Sequence, residues 1–327
     1  MKTSDRRSFL QTSLGAAAGL ASLPLLAGLA GCQSVASRPS RGEPAAGATA
    51  ERTTALPVER LTERISVVGD APGNVVVLSS GAGVLLVDSG AAPLAKAVRA
   101  SLGGANVHTL FNTHYHPDQT GGNALFGAGG ATIHAHTITR EWLATDYYVP
   151  AQDRWVKALP ARALPTVTFR LRGATRVGAE NIEYGYLLEA HTRGDIYVFF
   201  RDSNVLAVGD VASPQRDPVL DWYAGGWLGG RVDAMTSLLA LADDNTRIVP
   251  AYGPVMTRAQ LQAERDMMAH LYARTTLLTT QGRSAQDMLE AGVLKEVDRQ
   301  FTDPYRFLYD VSKGLWAHYT NFGGNIV

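Results

Sequence analysis

The sequence predicts an α/β protein in which two β-sheets lie face to face with helices outside. Short β-branched or leucine-rich runs come in sets, each set is followed by helical stretches, and this order occurs in both halves of the chain. In the first half the runs are 65–68, 75–79 and 84–88, and 80–83, Ser-Gly-Ala-Gly, reads as the hairpin loop between the last two. A helix over 92–102 follows and stops at Gly103-Gly104. The run 107–111 is a strand leading directly into Asn112-Thr113-His114, and 137–147 reads as helical. The second strand set comprises 167–171, 186–189, 196–200 and 205–208. The chain closes with helices. Thr257 and Gln260 form a capping box ahead of one, Leu261, Met268, Leu271, Thr275 and Leu278 share its face, and Gly282 stops it. Ser284 starts another short helix, and 304–318 makes the last. Neither a repeat of fixed period nor a second linker interrupts 58–327, which therefore reads as one domain.

Bulk composition narrows the function. With 30 Lys+Arg against 30 Asp+Glu in 327 residues, the chain lacks the basic excess of a nucleic-acid binder. Its single cysteine, Cys32, permits neither an intrachain disulfide nor a thiolate metal site.

The N-terminus reads as an address. Arg6-Arg7 precede an Ala/Gly-rich apolar stretch over 14–31 that Pro24 interrupts, so it is too weakly hydrophobic for a permanent membrane helix. The order resembles a twin-arginine signal. Leu29-Ala30-Gly31-Cys32 resembles a lipoprotein cleavage box, which implies removal of the signal, lipidation of Cys32 and a membrane-anchored protein facing the periplasm. Residues 33–57 are mostly Ala, Ser, Pro, Gly and Arg with almost no large apolar side chain, and read as a flexible linker.

The chemistry lies in Thr113-His114-Tyr115-His116-Pro117-Asp118-Gln119, after a strand and before the Gly121-Gly122 pair. Alternate residues of an extended backbone point to the same side, and Pro117 keeps His116 out of helical geometry, so His114 and His116 can converge on one ion. His191 follows another strand and supplies a third imidazole, and Asp210 ends a further strand. These positions resemble the metallo-β-lactamase superfamily, whose ordered signature Asp88, His114, His116, Asp118, His191 and Asp210 match. The resemblance implies a four-layer αββα sandwich with one or two metal ions in a groove at the sheet edges. Two positions depart: Gln119 and Tyr252 stand where histidines are usual, both on the second metal's side. Amide and phenol oxygens are weaker zinc ligands than imidazole. One tightly held zinc is expected; Asp118 and Asp210 are further metal-ligand candidates, but a second site made from them, with Gln119 at most a weak ligand, would be weak or empty.

Asp88 is read either as a carboxylate bonding a ligand histidine from behind or as a turn residue before Gly90. Asp195 reads as a cap. His134 and His136 lie in a strand with no acidic follower and read as core or surface residues. Residues 222–230, with Trp222, Tyr223 and Trp227, read either as a mobile flap or as a packed aromatic turn. The expected activity is hydrolysis of an ester, lactone, thioester or amide of a small substrate by zinc-bound hydroxide. Asp118 would orient the water or take its proton, and Tyr252 would donate to the oxyanion. Two rivals stay open: a mononuclear iron dioxygenase on the same fold, and a non-catalytic periplasmic binding lipoprotein serving a protein partner.

Overall fold

The computed structural model describes residues 51–81, 83–149 and 153–323. The export segment, Cys32 and linker residues 33–50 lie outside the described residues. Residues 51–57, read from composition as linker, instead lie on the domain: Arg52 N–H donates to Pro93 O (3.0 Å), and the buried Leu56 donates to Ser101 Oγ (2.7 Å). Among the described residues no helix is long and apolar enough to cross a membrane.

The first sheet runs β1 (Val58–Arg60), β2 (Ile65–Val68), β3 (Val75–Ser80), β4 (Gly83–Val87), β5 (Val107–Phe111), β6 (Thr132–His136) and β9 (Val167–Phe169). Its first four strands are antiparallel and the remaining pairings parallel. A separate hairpin pairs β7 (Tyr147–Val149) with β8 (Arg154–Val156). The second sheet runs β10 (Arg172–Val177), β11 (Glu180–Tyr186), β12 (Ile196–Phe200), β13 (Val205–Gly209) and β14 (Arg247–Pro250), the last pair parallel.

Strand residues alternate between two cores, because side chains of a strand leave opposite faces of its sheet. Ile65, Val67, Val76, Leu78, Leu85 and Val87 meet Ile196, Val198, Val205 and Ala207 between the sheets. Val75, Val77, Val84, Leu86 and Leu110 face outward onto Ala97 and Val98 of α1 (Ala95–Ser101) and Phe126 of α3 (Asn123–Ala128). Leu206 and Val208 face the other way, onto α5 (Leu228–Leu241), α6 (Arg258–Thr280), α7 (Ala285–Glu290) and α8 (Pro304–Gly323). The layers are thus α, β, β, α, and strands covered on both faces read as continuous apolar runs.

Several expected elements differ. The helix expected over 137–147 is α4 (Thr137–Leu143) only, because the β-prone Tyr147–Val149 pairs with β8 instead. The strand expected over 186–189 ends at Tyr186, the last residue of β11. Residues 187–195 form the turn to β12, with Glu189 at φ 48°. β10 is a polar edge strand with little apolar signal. Residues 222–230 are packed rather than a flap: Trp222–Ala224 is a 3₁₀ turn, and Leu228, Gly229 and Gly230 are the buried start of α5. A Cβ at Gly226 would collide with His191 O, so that glycine lets the turn close against the histidine loop.

Candidate metal centre

The site gathers where strands from both sheets end. β5 runs into His114 and His116, His116 being the N-cap of the short α2 (Pro117–Thr120). The β11–β12 turn brings His191, β13 ends at Asp210, and Tyr252 follows β14. Gly209 at φ 58° turns the chain into Asp210, and a Cβ there would clash with Thr113.

Among the described residues, the group of His, Cys, Asp and Glu side chains able to share an ion is His114, His116 and His191. His116 Nδ1 lies 3.1 Å from His114 Nε2 and 3.1 Å from His191 Nε2. Nitrogens about 2.05 Å from a tetrahedral zinc would stand ~3.3 Å apart, so the spacing suits a shared ion.

The remaining ring nitrogens fix the tautomers. His191 Nδ1 donates to Val219 O (2.8 Å), and His116 Nε2 donates to Asp221 Oδ2 (2.9 Å). Thr113 Oγ1 spends its proton on Asp88 Oδ2 (2.7 Å), so at 3.1 Å it accepts from His114 Nδ1. Three lone pairs are left facing one point, an arrangement that repels unless a cation sits there. Burial and the neighbouring imidazoles hold His114 and His191 well below the usual pKa, so both are neutral at pH 7 and able to bind a metal. Burial also opposes charge on His116, but the Asp221 hydrogen bond and the carboxylates of Asp118 and Asp210 lift its pKa above the ordinary value.

Asp88 does not bond a ligand histidine directly. It accepts from the Thr113 N–H (2.8 Å) and hydroxyl, and reaches His114 only through that hydroxyl. Burial pushes its carboxyl up to about 8, against the pull of the Thr113 bonds. Asp195 ties its loop by accepting from the His191 and Thr192 N–H groups, both at 2.7 Å.

Asp118 and Asp210 are not in that group of ligand atoms, and each bonds an organic partner. Tyr252 Oη donates to Asp118 Oδ2, so the phenol's one proton is committed there and not free for an oxyanion. Arg216 Nη2 donates to Asp210 Oδ2, which lies 3.4 Å from His191 Nε2, and the guanidinium stacks 3.4 Å from the Tyr252 ring centroid. Gln119 is fully buried, and both amide atoms lack a hydrogen-bond partner; its amide packs against Gly73. Of the other histidines, His136 stacks on Tyr186 (4.1 Å between centroids) and His134 lies tilted against Phe111 (4.8 Å).

Sequence reasoning missed Asp221, Arg216 and the Val219 carbonyl. Asp221 also accepts from Tyr115 Oη, so one buried carboxylate fixes two residues of the histidine loop. Asp221→Asn keeps the shape but weakens the hold on His116, and zinc affinity is expected to fall about 10–100-fold. Competition with a chromophoric chelator measures this; unchanged affinity would show that Asp221 does not orient the ligand.

A cavity of about 300 Å³ adjoins Asp118. Tyr115, Trp142, Leu143, Tyr147, Val156 and Leu159 make most of its wall apolar.

A solved metallo-β-lactamase from Pontibacter korlensis superposes with TM-score 0.53 at 19% identity, over 65% of this chain and 99% of that one. The DIM-1 metallo-β-lactamase gives 0.53 at 16%, over 67% and 99%. The inverting sec-alkylsulfatase Pisa1 from Pseudomonas sp. gives 0.58 at 17%, over 82% of this chain but 50% of that one. At these identities the likeness is one of fold. No curated protein matches the chain. The sequence profile described as the metallo-beta-lactamase superfamily matches residues 68–252, more than half of the 327, and the chain belongs to that superfamily.

Proposed function

We propose that the protein is a zinc-dependent hydrolase of a small ester, lactone, thioester or amide. The convergence of three imidazole lone pairs on one point carries this reading. Three imidazole nitrogen donors suit zinc, whereas the two-histidine, one-carboxylate set of iron oxygenases would need a carboxylate that Arg216 or Tyr252 already holds. A zinc ion bound there would supply a Lewis acid that polarises a carbonyl and acidifies water.

The chain's own groups do the rest. Tyr252 fixes Asp118 through Oδ2, leaving Oδ1 to orient a water and take its proton. The aromatic-walled cavity beside Asp118 would hold the apolar part of the substrate. The twin-arginine and lipobox-like segments support export and a lipid tether at Cys32.

The test is chelation followed by graded zinc return, assayed on chromogenic esters, lactones, thioesters and amides. Turnover is expected to vanish with the metal and to return in proportion to zinc added. A folded, zinc-loaded chain inert toward the whole panel would favour the binding-protein alternative. Oxygen uptake by iron-loaded protein would favour the oxygenase.

A further inference from the structure

We propose that Arg216 is the second cation of this centre: its guanidinium takes the place beside Asp210 and Tyr252 that a second metal would need, so the chain binds one metal ion. The inference rests on the reading that the histidine triad holds zinc.

The groups on that side have organic neighbours of their own. Asp210 Oδ2 accepts from Arg216, and Asp210 Oδ1 faces Ser213 Oγ at 3.3 Å. Asp118 Oδ2 accepts from Tyr252, and the Gln119 amide packs toward Gly73. The guanidinium covers the Tyr252 ring, and the Asp118 carboxylate acts on its charge. One fixed positive group thereby serves both carboxylates, which would otherwise repel each other. Guanidinium suits the task because it stays charged, bonds carboxylates as a planar fork and stacks on aromatic faces.

The arrangement is also built from behind. Arg299 Nη2 donates to Ser213 O (2.7 Å) and to Arg216 O, pinning the backbone that carries the guanidinium. Asp210 is nearly fully buried while the Arg216 side chain is 33% exposed, so the cation approaches from the open side.

The experiment is zinc titration of chelator-treated full-length protein, with bound metal counted by elemental mass spectrometry and folding checked by thermal melt. Wild type is expected to hold one equivalent. Arg216→Ala frees Asp210 and removes a positive charge that also acts on Asp118, so a second equivalent should bind about 100-fold more tightly than to wild type. Arg216→Lys keeps the charge and should stop at one. The triple variant Gln119→His, Arg216→Ala, Tyr252→His restores imidazoles and should hold two. Two tight equivalents in wild type, or one in both alanine-containing variants, would overturn the proposal. A wild-type chain that holds no zinc overturns the reading of the triad and this inference with it.

Discussion

Asp118→Asn is expected to lower kcat by about 10²–10⁴ while leaving one zinc equivalent in place. An amide keeps the shape of the carboxylate and still accepts the Tyr252 hydroxyl, but it cannot take a proton from water. Retention of metal follows because Asp118 is not among the three side chains that meet at the centre. The measurement pairs steady-state turnover with metal analysis on one preparation. Unchanged kcat would move the proton acceptor to another group. Loss of zinc along with activity would mean that Asp118 binds the metal after all.

The second large effect concerns stability. Arg231 on α5 is among the largest fully buried side chains, and it sits beneath the segment that carries Asp210, Arg216 and Val219. It donates to Ser213 Oγ (2.7 Å) and Val219 O (3.2 Å), and lies 4.0 Å from the buried Glu264. Glu264 Oε1 in turn accepts from the Ser213 N–H at 2.8 Å. Arg231→Ala leaves that carboxylate buried without its cation, and a loss of about 3–5 kcal/mol is expected in urea unfolding. Replacing both Arg231 and Glu264 with Met removes the stranded charge and should recover most of the loss. A deficit under about 1 kcal/mol for Arg231→Ala would show that the pair contributes no more than an exposed one.

What the sequence makes legible follows from how local each signal is. His114 and His116 are fixed relative to each other by extended backbone two residues apart, so their partnership can be read from spacing. The apolar strands are legible because both faces are covered. Arg216 lies in Ser213-Pro214-Gln215-Arg216-Asp217-Pro218, which has no periodicity, and its reach to Asp210 and Tyr252 depends on how that segment folds back. Val219 contributes only a backbone carbonyl, which every residue possesses. The start of α5 was hidden for another reason. Gly229-Gly230 reads as a helix breaker, yet a Cβ at Gly230 would strike Glu189 O, so close packing there outweighs helix propensity.

The triad draws its members from both halves of the sandwich, His114 and His116 beyond β5 and His191 from the β11–β12 turn. An ion held by all three would therefore be a rivet between the two layers. The same rim carries a metal-free clasp, where the Asn74 side chain donates to Pro250 O and Gly253 O, both at 2.9 Å. Gaping of the layers at this rim would pull the imidazoles apart, so the clasp guards the geometry of the centre even before any ion arrives.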